Sequence, residues 1–469
     1  MEPVSDEDRL SGLPDDVIHK IFSYLDMSRV VQTSVLSRIW RNRWSSVPFL
    51  TFDQSISFKK FKKFVNLVFF FRNNSAIHTF RLILKKGECD PDDIDSWIRA
   101  AVHHRVQCLT FQFFPMEGSC DFPQTLFTSN YLTSLNLCLT NEELFPGTLE
   151  LHEIPLGINL PSLKSLDLRF VTFMDGNFLV RLLQGCPALE KLVLVKCRSV
   201  SYGVLTISSI RLRYLKLELC YNDSVSKDED LEIVVSAPNV VTFLWTDTLW
   251  TGCVVENLNA VEVAKIELHT GFFDQDGWSD VKRDTGYAST RDVYRMFKCL
   301  RSLYNVRSLT LSAFFLQVIS GHPSELKKWA THFTNLKDLH LGTWLTRGCF
   351  CSIFFLLNHT PNIERLALQI YQIQGDAVNI NEDVLSSLKI RLDHLQNIQF
   401  HGVTSSQVEF ELVKVLLKSA IALKKIIFYL PKTWKESEEK LKLFAKRVKE
   451  ITRGASTAVF FYLPPQEKK

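Results

Sequence analysis

No stretch of this 469-residue chain stays apolar for long. The longest charge-free apolar runs, such as 64–71 and 353–357, fall far short of the ~20 residues that cross a bilayer. No membrane partner is therefore expected. The chain also lacks charge of one dominant sign. Its 55 basic and 51 acidic residues leave a net charge of +4, which gives no strong pull toward nucleic acid. The opening MEPVSDEDRL has no apolar core, so it does not read as a secretory signal. Cysteine is scattered and odd in number, 11 in all, which fits reduced thiols in cytoplasm or nucleus better than a disulfide framework.

Catalytic motifs are also missing. There is no glycine-rich loop with Lys-Ser/Thr, no His-Glu-x-x-His and no Gly-x-Ser-x-Gly. Cys349-x-Cys351, with His359 beyond it, lacks the second pair that zinc spacing demands, so packed cysteines and no metal are expected. Asp90–Asp95 lacks the glycine and terminal glutamate of a calcium loop and reads as a helix cap. His103-His104 reads as the end of a helix. The expectation is a protein without catalytic residues or cofactor.

What is present is a hydrophobic content of 46%, too high for a largely disordered chain. The length exceeds one ordinary core, which implies several domains or a repeat. Near the N-terminus, Leu13, Val17, Ile18, Ile21, Phe22 and Leu25 recur at helical steps. Pro14 suits a first turn. Asp26 or Ser28 can cap a second helix carrying Val30, Val31, Ser34 and Val35. Ser37 can cap a third holding Trp40 and Trp44. So many apolar residues in about 40 positions imply a face covered by another protein.

This segment resembles an F-box. The marks are Leu13-Pro14, Val17-Ile18, Ile21-Phe22, Leu25, Val30-Val31 with Ser34, Leu36-Ser37-Arg38, Trp40-Arg41 and Trp44. The resemblance implies binding to the Skp-type adaptor of a cullin ubiquitin ligase through Leu13, Pro14, Ile18, Ile21, Leu25, Val30, Val31, Leu36, Trp40 and Trp44. Some of these must instead hold the module together.

Beyond it one phrase returns, apolar-x-x-apolar-x-apolar. It begins as Val47/Leu50/Phe52 and Ile77/Phe80/Leu82 and ends as Leu395/Ile398/Phe400 and Leu423/Ile426/Phe428. Its middle positions are spaced near the leucine-rich-repeat period. One instance is read as Val263/Ile266/Leu268, which leaves an unusually long gap before Leu309. The last two apolar positions alternate inward on a short strand, and the return segment is often a helix, as at 175–184 and 407–419. Cys197 and Cys220 occupy the place that the repeat consensus reserves for Asn or Cys. Thr140, Val171 and Trp344 stand there elsewhere, so the repeat is degenerate. The amphipathic FKKFKKFVNLVFFF segment (58–71) reads as an outer helix of this repeat rather than a membrane-surface element.

Gly185-Cys186-Pro187, Ala237-Pro238-Asn239 and Thr360-Pro361-Asn362 precede strands. With 152–170 and 184–196 they resemble plant F-box proteins that carry leucine-rich repeats and a C-terminal FBD region; 395–431 resembles FBD itself. The expected fold is α/β: a three-helix F-box, then an irregular leucine-rich-repeat solenoid with parallel strands inside and helices outside, closed by the FBD-like segment. The expected division is 1–8 N-terminus, 9–52 F-box, 53–390 repeats, 391–463 FBD-like region and cap, 464–469 tail. A helix near 435–453 and a strand near 457–463 would close the chain.

Candidate target-binding residues come from two places. Phe272, Phe273, Trp278 and Tyr287 sit in the long gap between repeats, where insertions often build binding surfaces. Lys216 and His340 belong to a set of outward strand positions with Asn136, Asp167, Glu267, Thr310 and Gln399. The resemblance implies a substrate receptor of a Skp–cullin–F-box ligase with a target protein as second partner. An adaptor-bound scaffold or inhibitor outside the ligase, and a small-molecule co-receptor, are the alternatives.

Overall fold

The computed structural model describes residues 12–38, 40–85, 90–113, 122–139, 149–151, 157–173, 177–199, 204–218, 221–222, 232–248, 252–269, 273–274, 277–278, 290–328, 331–371, 390–403, 405–430, 438–452 and 458–462. Two compact units divide it: residues 1–212 with 218–231, and residues 213–217 with 232–469.

The first unit starts with helices Asp15–Phe22 and Met27–Gln32. Asp26 caps the second, its Oδ1 accepting from the Arg29 amide at 2.9 Å. The expected third helix does not form as an α-helix. The second helix ends at Gln32 and passes Ser34 and Val35 to a 3-10 turn, Thr33–Val35, and a second 3-10 turn, Arg43–Ser46, stands in the region of the third. Asn42, Trp44, Ser45 and Ser46 are weak helix formers, and the Ser45 and Ser46 hydroxyls bond back to the Asn42 and Arg43 carbonyls instead.

Six strands follow side by side, all parallel: Phe49–Asp53, Thr79–Leu84, Cys108–Phe113, Ser134–Cys138, Ser165–Arg169 and Lys191–Val195. Their register aligns Leu50, Phe80, Leu109, Leu135, Leu166 and Leu192 in one fully buried row. Burying each such side chain contributes ~1.5–3 kcal/mol. Return helices include Phe58–Phe71, Pro91–His103 and Phe178–Gly185. Asp90 caps the second of these, its Oδ1 accepting from the Asp92 amide at 3.2 Å. Short parallel strands Leu149–Leu151, Val171–Phe173, Arg198–Ser199 and Tyr221–Asn222 form a minor sheet. Cys197 links repeats here, its thiol donating to the Leu168 carbonyl at 3.3 Å.

The second unit carries strands Tyr214–Glu218, Thr242–Thr248, Val263–His269, Ser308–Leu311, Asp338–Thr343, Arg365–Ile370, Asn397–His401, Lys425–Tyr429 and Ala458–Tyr462, in that order. A turn recurs before the strands: Val240 donates to Ala237, Val306 to Leu303, Ile363 to Thr360 and Leu395 to Leu392. Leu309, Leu339, Leu366, Ile398, Ile426 and Val459 share one buried-side row.

One repeat differs from the sequence reading. Ala264, not Ile266, pairs with both Phe243 and Leu309. Val261 donates to the Leu258 carbonyl in the recurrent turn and is fully buried, whereas Val263 is 40% exposed. The repeat is Val261/Ala264/Ile266. A single alanine methyl is easily passed over, and a two-residue slip keeps every side chain on its own face.

The return strands Glu232–Ser236 and Gly252–Asn257 pair in parallel; their β-branched content favours strand. Helices take over the returns from Thr290–Ser302 onward: Ala313–Ser320, Arg347–Asn358, Gln407–Ser419 and Glu438–Ile451. The last strand extends the ladder, with Phe461 stacked on Phe428 and Phe428 on Phe400 at centroid distances of 5.6 and 5.0 Å.

Candidate interaction surfaces

The N-terminal module divides its apolar residues between inside and outside. Ile18, Phe22, Met27, Val30 and Trp40 are buried. Phe22 and Trp40 meet edge to face, and the Arg43 guanidinium lies over the Trp40 ring at 5.4 Å. Of the residues that the motif singles out, Ile18, Val30 and Trp40 thus form the module's own core. Pro14, Ile21 and Leu36 are exposed, while Leu13, Leu25, Val31 and Trp44 are half-buried.

Three exposed apolar residues escape that set: Val17, Tyr24 and Val35. Val17 and Ile21, four residues apart, share one face of the first helix, and Tyr24 lies in the turn just after it. Val35 and Leu36 are 84% and 64% exposed beside one another. The signal for them was the excess of apolar residues over what a core of this size can hold.

Arg72 ties this module to the first repeat. Its Nη1 donates to the Val47 carbonyl at 2.7 Å, and Nη2 reaches the Ser75 and Ala76 carbonyls. The Phe58–Phe71 helix is fixed too: Phe61 is buried against Trp97, and Lys62 pairs with Asp93 at 2.6 Å. No described helix is long and apolar enough to cross a membrane.

The outward strand positions form registered rows. In the first unit, Asn136 stands beside Asp167, which pairs with Arg169 at 2.9 Å. In the second unit, Lys265, Thr310, His340, Ala367 and Gln399 make one row. Lys265 therefore holds the place expected of Glu267, which belongs two positions further on. Ser308, Asp338, Arg365 and Asn397 make the row beside it. Asp338 and Arg365 form a two-pronged ion pair, Arg365 Nη2 to Asp338 Oδ2 at 2.6 Å and Nε to Oδ1. That bond holds the Arg365 pKa above its ordinary value. Burial pushes the His340 imidazole below its usual pKa, against the pull of Asp338. His401 lies lower as well, through burial and then through His340, and stacks on Tyr429 at 4.2 Å.

A depression of about 310 Å³ opens in this face, lined chiefly by Ser308, Asp338, His340, Arg365, Ala367 and Gln399. Lys216 is half-buried on the Tyr214–Glu218 strand, and His340 lies at the depression, open to solvent on one side and covered enough on the other to depress its pKa. Phe272 and Tyr287 lie outside the described residues. Phe273 and Trp278 are backbone partners in a short antiparallel pair; their side chains are likewise outside the described set.

Among the described residues no group of three His, Cys, Asp or Glu is placed to hold a metal ion. Cys349 donates to Gln317 Oε1 at 3.1 Å and is buried; Cys351 is exposed; His359 Nδ1 lies 2.8 Å from the Phe355 carbonyl. His104 closes the C-terminus of the Pro91–His103 helix.

Residues 10–52 match the F-box domain profile, and residues 94–271 match the profile described as FBD-associated F-box protein At5g56370, LRR repeats. The chain carries an F-box and FBD-associated leucine-rich repeats. It is similar to the F-box/FBD/LRR-repeat protein At5g22660 of Arabidopsis thaliana, 26% identical over 90% of this chain and 89% of that protein. It is also 26% identical to the putative FBD-associated F-box protein At5g56440 of the same plant, over 93% and 95% of the two chains. The putative FBD-associated F-box protein At5g56560 is 28% identical over 90% and 92%. The exposed apolar residues Val17, Ile21, Tyr24, Val35 and Leu36 belong to the F-box, and the registered rows belong to the strands of the repeats.

Proposed function

We propose that this F-box protein is the substrate-recognition subunit of a Skp–cullin–F-box ubiquitin ligase. The observation that carries the reading is the number of exposed apolar residues, Val17, Ile21, Tyr24, Val35 and Leu36, on a module whose own core is already filled by Ile18, Phe22, Val30 and Trp40. A Skp-type adaptor would cover Pro14, Ile21 and Leu36, with Leu13, Leu25, Val31 and Trp44 at the margins and Val17, Tyr24 and Val35 added. The adaptor would bring the cullin, and the repeats would hold a target protein. The contribution to chemistry is proximity, because tethering raises effective concentration. No nucleophile, metal or general base of this chain takes part. Residues 391–463 act as the FBD-like closing region, and the complex works in cytoplasm, nucleus or both.

The test is co-expression of the full chain with a Skp-type adaptor. Ile21→Asp/Leu36→Asp places two charges among the exposed apolar residues and leaves the core untouched. Co-elution with the native chain and its loss in the double variant, at unchanged thermal stability, is the expected result. Undiminished adaptor recovery by the variant would sink the proposed interface.

A further inference from the structure

We propose that the outer face of the Phe58–Phe71 helix is a second contact for the Skp-type adaptor and continues the adaptor surface from the F-box onto the first repeat. The inference rests on the reading that the F-box holds such an adaptor, and it extends the footprint beyond residues 10–52.

The two faces of this helix differ. On the inner face Phe61, Val65 and Val68 are buried, and Asn66 Oδ1 accepts from the Trp97 indole at 2.7 Å, so the helix is anchored to the Pro91–His103 helix. The outer face is open. Leu67, Phe70 and Phe71 stand at i, i+3 and i+4 and share it. All three are exposed, Phe70 to 79% and Phe71 to 60%. The two rings meet edge to face at 5.0 Å, so each orients the other. Rings left in water contribute little to the stability of the repeat. A contiguous apolar group of this kind on a rigid helix marks a surface that another molecule covers.

Its place in the fold says what covers it. The helix ends at Phe71, and the next two residues bond to the F-box. Arg72, itself buried, donates from Nη1 to the Val47 carbonyl at 2.7 Å. The Asn73 amide donates to the Ser45 carbonyl at 3.3 Å. Consecutive Cα atoms are about 3.8 Å apart, so Phe71 lies within about 7.6 Å of Asn73, Cα to Cα. Ser45 adjoins Trp44, which is half-buried and belongs to the adaptor-binding motif. An adaptor whose footprint reaches Trp44 therefore meets Phe71 and Phe70 next. The hydrogen bonds of Arg72 and Asn73 fix the two parts of that footprint to one another, so no ordering of a loose segment opposes the contact.

The experiment is calorimetric titration of the full chain with a recombinant Skp-type adaptor. Phe70→Gln/Phe71→Gln replaces both rings by a neutral, helix-favouring side chain. Phe70→Leu/Phe71→Leu keeps the face apolar, and Ile21→Asp/Leu36→Asp marks the F-box contribution. Because Lys59, Lys60 and Lys63 stand exposed on the same helix, vesicles containing phosphatidylserine are titrated in parallel, and self-association is followed by sedimentation. The expected result is a loss of adaptor affinity of at least about tenfold with the glutamine pair, at an unchanged melting temperature, and native affinity with the leucine pair. Unchanged adaptor affinity in the glutamine pair, while Ile21→Asp/Leu36→Asp still abolishes binding, would overturn the inference and leave the F-box reading standing. Ring-dependent binding to vesicles or to a second copy, with adaptor affinity unaltered, would overturn it in favour of that occupant. A lower melting temperature in both pairs would assign the rings to the fold and overturn it as well. Failure of the native chain to bind adaptor would remove the F-box reading and the inference together.

Discussion

The Phe22 and Trp40 rings meet edge to face with centroids 5.8 Å apart and an interplanar angle of 66°. This contact joins the first helix to the segment after the second, and it is what allows so short a module to hold a shape. Trp40→Ala removes the contact and leaves a cavity. The expected cost is about 3–5 kcal/mol. Chemical denaturation of the full chain should show an early-unfolding N-terminal phase; an unchanged profile would mean that Trp40 is not part of the module's core.

Arg72 is a second structural hinge pin. Burial lowers its pKa to about 10, so it stays charged at neutral pH while serving three backbone carbonyls. Arg72→Ala leaves those acceptors without their donor. A loss of about 2–4 kcal/mol is expected, and limited proteolysis should cut first between the F-box and the first repeat. Wild-type stability in this variant would contradict the role.

Gly402 adopts φ +71, and a Cβ there would lie 2.3 Å from the Ile370 carbonyl oxygen. Gly402→Ala therefore combines backbone strain with a clash against backbone that has little room to yield. The expected destabilisation is about 1–3 kcal/mol, read as a lower melting temperature.

Thiol chemistry offers an independent check on burial. Burial pushes the Cys186, Cys197 and Cys299 thiols up to about 12, while Cys351 is exposed. The thiolate is the reactive form. Iodoacetamide at about pH 8 should modify Cys351 in the native protein and spare the other three until denaturant is added, as peptide mass spectrometry would show. Equal native labelling of Cys197 and Cys351 would contradict the packing.

The strand ladder is legible in the sequence because burial on a strand alternates and Leu, Ile and Phe mark it strongly. The helix Gln407–Ser419 is legible for a similar reason, apolar residues at helical steps. The slip at Ala264 shows the limit: a small residue in a buried place carries little pattern. The third F-box helix shows another, since aromatic residues at helical spacing do not overcome weak helix formers between them. His340 is readable as an outward strand residue, but the depression beside it is not, because its lining is brought together by register across residues 27 to 32 positions apart.

The most direct measurement of the central claim is a pull-down of the full chain, beside Leu13→Ala/Pro14→Ala, from cells that supply adaptor and cullin. The account predicts that the native chain recovers both partners and that the double variant, still folded, recovers neither. Recovery of neither partner by well-folded native chain, or of adaptor without cullin, would contradict it.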